Sequence, residues 1–273
     1  MMRRLYLLLP LCAAACSSGM PHSRFAQNGG TAAQRALPNV PGFASKPFEP
    51  FSRAAAVAIA MREWRVFGTP VDDDPPGTRP PSLPDDKPER VEGLWQRVGE
   101  YWWTSQDPGR LEAAWTGKHD AFGTVFDASD DALYAWSAAF ISYVMRVSGA
   151  GDRFRYSPSH STYIDDAARH DPGIVVNAQP IDGYAPQLGD LICTSRTVRP
   201  MQFSDLPAGG YPSHCDIVVG QQPGMLSVLG GNVDDAVTMK HIPVTADGRL
   251  SAGGPPIDTR YNWFVVLRVA YDR

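Results

Sequence analysis

The hydrophobic period of this 273-residue chain changes after Asp171, Pro172 and Gly173, and nothing else in it limits the fold as strongly. Before that point apolar residues recur at helical spacing. After it, Ile174–Val176, Asp190–Cys193, Cys215–Val219, Leu226–Leu229, Ala236–Ile242 and Trp263–Val269 are short, apolar or β-branched runs separated by Gly, Pro, Asn and Asp. Such runs are strands. Helices followed by consecutive strands predict an α+β fold, with N-terminal helices packed on an antiparallel β-sheet. Thr197–Pro212 joins two of the strands, and a connection of that length in a compact domain is usually functional or mobile.

Four helices are expected. Ser52 can cap one over Arg53–Phe67, with Val57, Met61 and Trp64 on one face. Leu94, Trp95, Val98, Tyr101 and Trp102 share a broad face of a second, running from Glu89 to near Asp107. Their spacing is what burial requires, so core outweighs a sugar-stacking platform. The third lies in Ala135–Gly149, where Phe140, Tyr143, Val144 and Val147 form a stripe and Gly149 can end the helix in left-handed geometry. Ser137 sits in its first turn, among unpaired N–H groups at the positive end of the helix dipole, where serine is also a favoured cap. The fourth starts at Ser157, Pro158 and Ser159 and runs through Tyr163 to about His170. Thr69–Pro88 carries seven prolines, which rule out regular structure, and Asp72, Asp73 and Asp74 read as part of a solvated linker.

A formal charge of −4 with no sustained basic run gives no reason to expect nucleic-acid binding. Arg3 and Arg4 followed by an apolar Leu5–Ala15 read as an export signal too short to span a bilayer. Ala14, Ala15 and Cys16 resemble the cleavage box of bacterial lipoproteins, in which the cysteine is acylated, although Ala13 stands where that box prefers Leu. An ordinary secretory signal is the other reading. Ser17 resembles outer-membrane sorting, which implies a periplasmic protein tethered by lipid. The expected organisation is residues 1–16 as signal, 17–88 as a Pro-rich tether with one short helix near 53–67, and 89–273 as the folded domain. If Cys12 is removed and Cys16 lipidated, Cys193 and Cys215 remain, as a disulfide or as two buried thiols. A bridge would close about 23 residues and contribute on the order of 3 kcal/mol.

Trp136, Ser137, Ala138, Ala139 and Phe140 resemble the Trp-Cys-Ala-Ala-Phe nucleophile helix of the NlpC and CHAP papain-like amidases and peptidases, with Ser in place of Cys. Gly189, Asp190, Leu191 and Ile192 resemble their Gly-Asp strand opening. Ser213–Val219 resembles the strand whose leading histidine is the base, and Leu229–Asn232 a Gly-Gly-Asn turn. The resemblance covers roughly residues 89 to 270 and implies a papain-like NlpC/CHAP-type fold, with Ser137 as nucleophile, His214 as base and Asn232 orienting the imidazole. The chain also resembles an uncharacterised family of proteobacterial lipoprotein domains, a domain of unknown function that carries this serine.

Serine changes the chemistry. An alcohol of water-like pKa, about 15.7, costs about 12 kcal/mol to ionise at neutral pH, and a helix end returns at most about 2 kcal/mol. Ser137 could act only as serine hydrolases do, losing its proton as it attacks. The expectation is an amide hydrolase of the cell envelope acting on peptidoglycan or a cell-wall peptide. The alternative is an inactive module that binds such a peptide or glycan, and a third reading is a scaffold whose groove its own tether fills. His160, Trp136 and Tyr163 are candidate substrate contacts. His119, His170 and His241 lack partners at ligand spacing, so neither metal nor cofactor is expected. Asp216 is expected to face away from His214.

Overall fold

The computed structural model describes residues 49–80, 82–106 and 109–272. The proposed signal, Cys16 and the first part of the tether lie outside the described residues. No helix among the described residues is long and apolar enough to cross a membrane.

The architecture is α+β. Helices α1 (Arg53–Val66), α2 (Leu94–Thr104), α3 (Ser137–Val147) and α4 (His160–Arg169) precede strands β1 (Val176–Gln179), β2 (Leu191–Ser195), β3 (Ser213–Gln222), β4 (Met225–Val233), β5 (Ala236–Pro243) and β6 (Trp263–Val269). The strands form one sheet in the order β1-β6-β2-β3-β4-β5, and every neighbouring pair is antiparallel. Alternation splits its side chains between two layers. Cys193, Cys215, Ile217, Leu229 and Val237 join the helices in the main core, whereas Ile192, Val218, Val228 and Val266 pack with Trp263 and Leu250 on the other face.

α3 is buried from Ser137 to Arg146, not along one stripe only. The sheet covers one side and α1 and α2 the rest, which the pattern of α3 alone could not reveal. Gly149 ends it at a φ of 98°. α4 begins at His160, two residues after the expected Pro158, with Ser159 as N-cap, and His170 closes it in the left-handed region.

The expected tether boundary requires correction. Phe51, Ala56, Ala60 and Phe67 are buried in the same core as α3, so the packed unit begins well ahead of Glu89. Glu63 on α1 is fully buried. It accepts hydrogen bonds from Arg97 Nε at 2.6 Å and from the Tyr101 hydroxyl at 2.7 Å, both on α2. Burial favours its neutral form, but these donors outweigh it and hold the carboxyl below its ordinary value. The Pro-rich stretch is structured too. Asp72 N donates to Met239 O, Met239 N donates to Pro70 O, and Val71 bridges β5 in parallel, which covers the sheet's edge strand. Asp72 is buried, whereas Asp73 and Asp74 are exposed, with the Asp73 carboxylate accepting from His241 N at 2.7 Å and contacting its Nδ1 at 2.8 Å, so the solvated run expected here holds for two of the three aspartates.

Cys193 and Cys215 face each other across β2 and β3 and form a disulfide. Reduction under native conditions is expected to lower unfolding stability by about 3 kcal/mol on the chain-entropy scale, read from urea titrations with and without reductant. A chain beginning at Glu89 leaves the apolar surface under α1 bare and removes Glu63 from Arg97. It is expected to lose cooperative unfolding and to bind a hydrophobic dye, while the chain from residue 49 unfolds in one transition.

Candidate functional site

Ser137 is the first residue of α3, after Trp136 as N-cap. The N–H groups of a helix's first turn have no intrahelical acceptor, so its hydroxyl stands among free donors at the positive end of the dipole. The Ser137 hydroxyl shares a 2.7 Å hydrogen bond with His160 Nε2. The other ring nitrogen of His160, Nδ1, is bonded to the Tyr163 hydroxyl, one turn along α4. Sequence reasoning placed His160 and Tyr163 as substrate contacts. The structure makes His160 the imidazole on the serine and Tyr163 the group that orients it. An order of helices before strands resembling the NlpC pattern directed attention to the strand histidine, and only the SPSHSTY cap pointed to His160.

His214 occupies a different place. Its Nε2 is 3.0 Å from Asp216 Oδ1, and its ring centroid is 5.2 Å from that of His160. The expectation that Asp216 faces away from His214 is wrong, because residues two apart on a strand share a face. Asp216 Oδ2 lies 2.7 Å from Lys240 Nζ on β5, so one carboxylate joins β3 to β5. β4 runs between them and allows this by having Gly230 at the crossing. A Cβ there would lie 2.2 Å from Asp216 Oδ1 and 2.8 Å from His214 Nε2. A Cβ on Gly231, on the opposite face, would lie 2.5 Å from Phe140 Cβ. The Gly-Gly-Asn run is therefore strand and bulge, not a turn: the β4–β5 register shifts between Gly230 and Val233, and Asn232 has a φ of 53°. Among the described residues Asn232 makes no hydrogen bond to His214, so the orienting role expected of it belongs to Asp216.

Burial would raise the Asp216 carboxyl, but Lys240 and His214 outweigh it and hold it well below its ordinary range. Being ionised, Asp216 can only accept, so Nε2 of His214 carries the proton. Nδ1 is then a bare lone pair, and it is buried without a hydrogen-bond partner among the described residues. Burial, then the charge of Arg196, lowers His214 to about 4 against the pull of Asp216. His160 is also lowered well below its ordinary value, by burial first and then by His214 and Arg196. Both rings are neutral at pH 7, the form a base requires. Tyr163 is pushed up by burial and keeps its proton. In the tautomer with Nδ1–H donating to Tyr163, Nε2 of His160 accepts from Ser137.

Trp136 is fully buried, and its Nε1 donates to Glu89 Oε2, so it is a structural anchor of the serine turn and not a substrate contact. Burial, then Asp235 and Asp131, raise Glu89 to about 8, so it is protonated at neutral pH. Oxygens of Glu89, Asp131 and Asp235 lie within 4.8 Å of one another, a spacing that could hold a cation and that sequence reasoning did not foresee. Lys87 already stands against Asp131 and 3.4 Å from Asp235, with Arg90 3.3 Å from Asp131.

A cavity of about 240 Å³ lies against Lys240. Arg196, Asn232 and Tyr261 line it together with Asp72, Pro75, Gly77 and Arg79 of the segment ahead of Glu89.

Because the folded state resists protonation of His214, the unfolded state binds more protons below pH 6.5. The stabilisation from keeping the ring neutral is present above that pH and lost as pH falls through about 4, a change on the order of 3 kcal/mol. Unfolding titrations across that range should show His214→Gln with a shallower slope than the native chain, and ¹⁵N spectra should show neutral His160 and His214 rings at pH 6.

No curated protein and no solved structure matches the chain. Residues 89–269 match the model of a family described as "Uncharacterized protein conserved in bacteria (DUF2272)", and the chain belongs to that family.

Proposed function

We propose that this protein is a serine-dependent acyl hydrolase that cleaves an amide bond in the bacterial cell wall. The observation that carries the reading is the 2.7 Å bond between Ser137 Oγ and His160 Nε2 at the N-terminus of α3. A nucleophile, a neutral base oriented by Tyr163, and free backbone donors stand together.

In this mechanism Ser137 Oγ attacks the carbonyl carbon while its proton passes to His160 Nε2. The carbonyl oxygen, now an anion, is held by N–H groups of the first turn of α3. Collapse breaks the C–N bond, and His160 returns the proton to the departing amine. Water then hydrolyses the acyl-serine with His160 again as base. This replaces the assignment of His214 as base: His214, held by Asp216, orders the wall behind His160. The NlpC and CHAP resemblance of Trp136–Phe140 and Ser213–Val219 supports a cell-wall substrate. The Cys193–Cys215 bond fits an exported protein, in keeping with a periplasmic, lipid-anchored location through Cys16.

A second reading, a closed module that binds wall peptide or glycan without turnover, draws on the burial of the site: Ser137 is only 6% exposed and His160 4%. The full chain, with Ser137→Ala and His160→Gln variants, is incubated with peptidoglycan and with a fluorophosphonate, and products and labelled residue are read by mass spectrometry. Fragments released by the native chain, a label on Ser137, and a loss of about 10²–10⁴-fold in His160→Gln are expected. Sedimentation with peptidoglycan, without label or cleavage, would establish the binding module instead.

A further inference from the structure

The cavity beside Lys240 contains cations of unequal standing. Arg79 is matched by three carboxylates: Asp72 at 3.0 Å, Asp74 at 2.8 Å and Asp234 at 3.3 Å. Lys240 is matched by Asp216. Arg196 lines the same cavity, is exposed, and forms no ion pair among the described residues. Asn232 and Tyr261 line it too, and neither the amide nor the hydroxyl has a hydrogen-bond partner among the described residues. Burial, then Asp216 and Asp72, push Tyr261 upward, so its hydroxyl stays a donor at neutral pH.

A guanidinium presents a planar fork of N–H groups that fits a carboxylate in two parallel bonds. The amide of Asn232 and the phenol of Tyr261, lining the same cavity, add single donors. Asp72 and Asp234 of the cavity are engaged by Arg79, and Asp216 by Lys240, so among the described residues no carboxylate is paired with Arg196. The volume, about 240 Å³, accommodates a carboxylate carried on a few carbons. Asn232 adopts left-handed backbone geometry through the β4 bulge, which is what places it in this lining.

We propose that Arg196, Asn232 and Tyr261 form a subsite for a free carboxylate, the end or side chain of a short peptide. The subsite extends the hydrolase reading by naming what the substrate presents beside the scissile bond. It binds whether or not Ser137 turns that substrate over. Lys240 and Asp216 form the shared boundary between this subsite and the histidines, so a seated carboxylate adds negative charge close to His214 and His160.

The test uses the full chain with N-acetyl-alanyl-alanine as the free acid and as its C-terminal amide, followed by calorimetry and by the Nε resonance of Arg196. The acid is expected to bind at least about tenfold more tightly than the amide and to shift that resonance. Arg196→Gln should bring acid and amide to the same affinity. Asn232→Gly, which keeps the backbone geometry, should weaken the acid alone. Ser137→Ala should bind as the native chain does. Acid and amide binding equally, an unmoved Arg196 signal, or no binding at millimolar concentration would overturn the subsite. Turnover of wall fragments irrespective of a free carboxylate would overturn it while leaving the hydrolase in place, and carboxylate binding without turnover would do the reverse.

Discussion

A fully buried carboxylate must be met by donors, and the arrangement around Asp216 meets that demand across three strands. His214 on its own strand supplies one proton and Lys240 on β5 a full charge, with Gly230 of β4 leaving the space between them. The geometry has little slack. Removing Lys240 leaves the Asp216 charge uncompensated in a dry interior, which costs about 3–5 kcal/mol for a buried pair. The same contact fixes the tautomer of His214, and through the ring packing of His214 on His160 it bounds the position of the imidazole that meets Ser137.

A second buried carboxylate does the equivalent work among the helices. Glu63 ties α1 to α2 through Arg97 and Tyr101, and Arg97 also reaches the Tyr143 hydroxyl of α3. The serine turn is thus braced from behind by a segment that composition assigns to a linker. Each network is polar and specific to one packing of the elements, and His214 Nδ1 is left without a hydrogen-bond partner among the described residues.

The sequence was legible wherever a local rule was sufficient. Trp263–Val269 is β6 to the residue, α1 ends within one residue of its expected end, and the disulfide follows from the two cysteines that an exported chain would retain. The site was half legible. Ser137 is where its helix signals put it, but its partner was not. His160 and His214 are distant in sequence, and only tertiary packing decides which imidazole reaches the hydroxyl. Asp216 was misread by a count of strand positions, not by any lack of signal. The prolines of Thr69–Pro88 excluded an α-helix and a sheet interior, yet they excluded neither the short 3₁₀ helices Pro84–Asp86 and Pro88–Arg90 nor an edge contact, because Asp72 supplies the N–H that proline lacks and Pro70 supplies a carbonyl.

The place of the disulfide has its own meaning. Cys215 adjoins His214, and its register partner Cys193 adjoins Thr194, which faces His214 across β2 and β3. A covalent link there locks strand alignment at the very residue pair next to the imidazole, where a slip of one residue would turn His214 and Asp216 to the opposite face. Assembly of the site is thereby coupled to the redox state of the surroundings. In a reducing compartment backbone pairing and the packing of the two sheet faces hold the alignment, and oxidation adds a covalent tie.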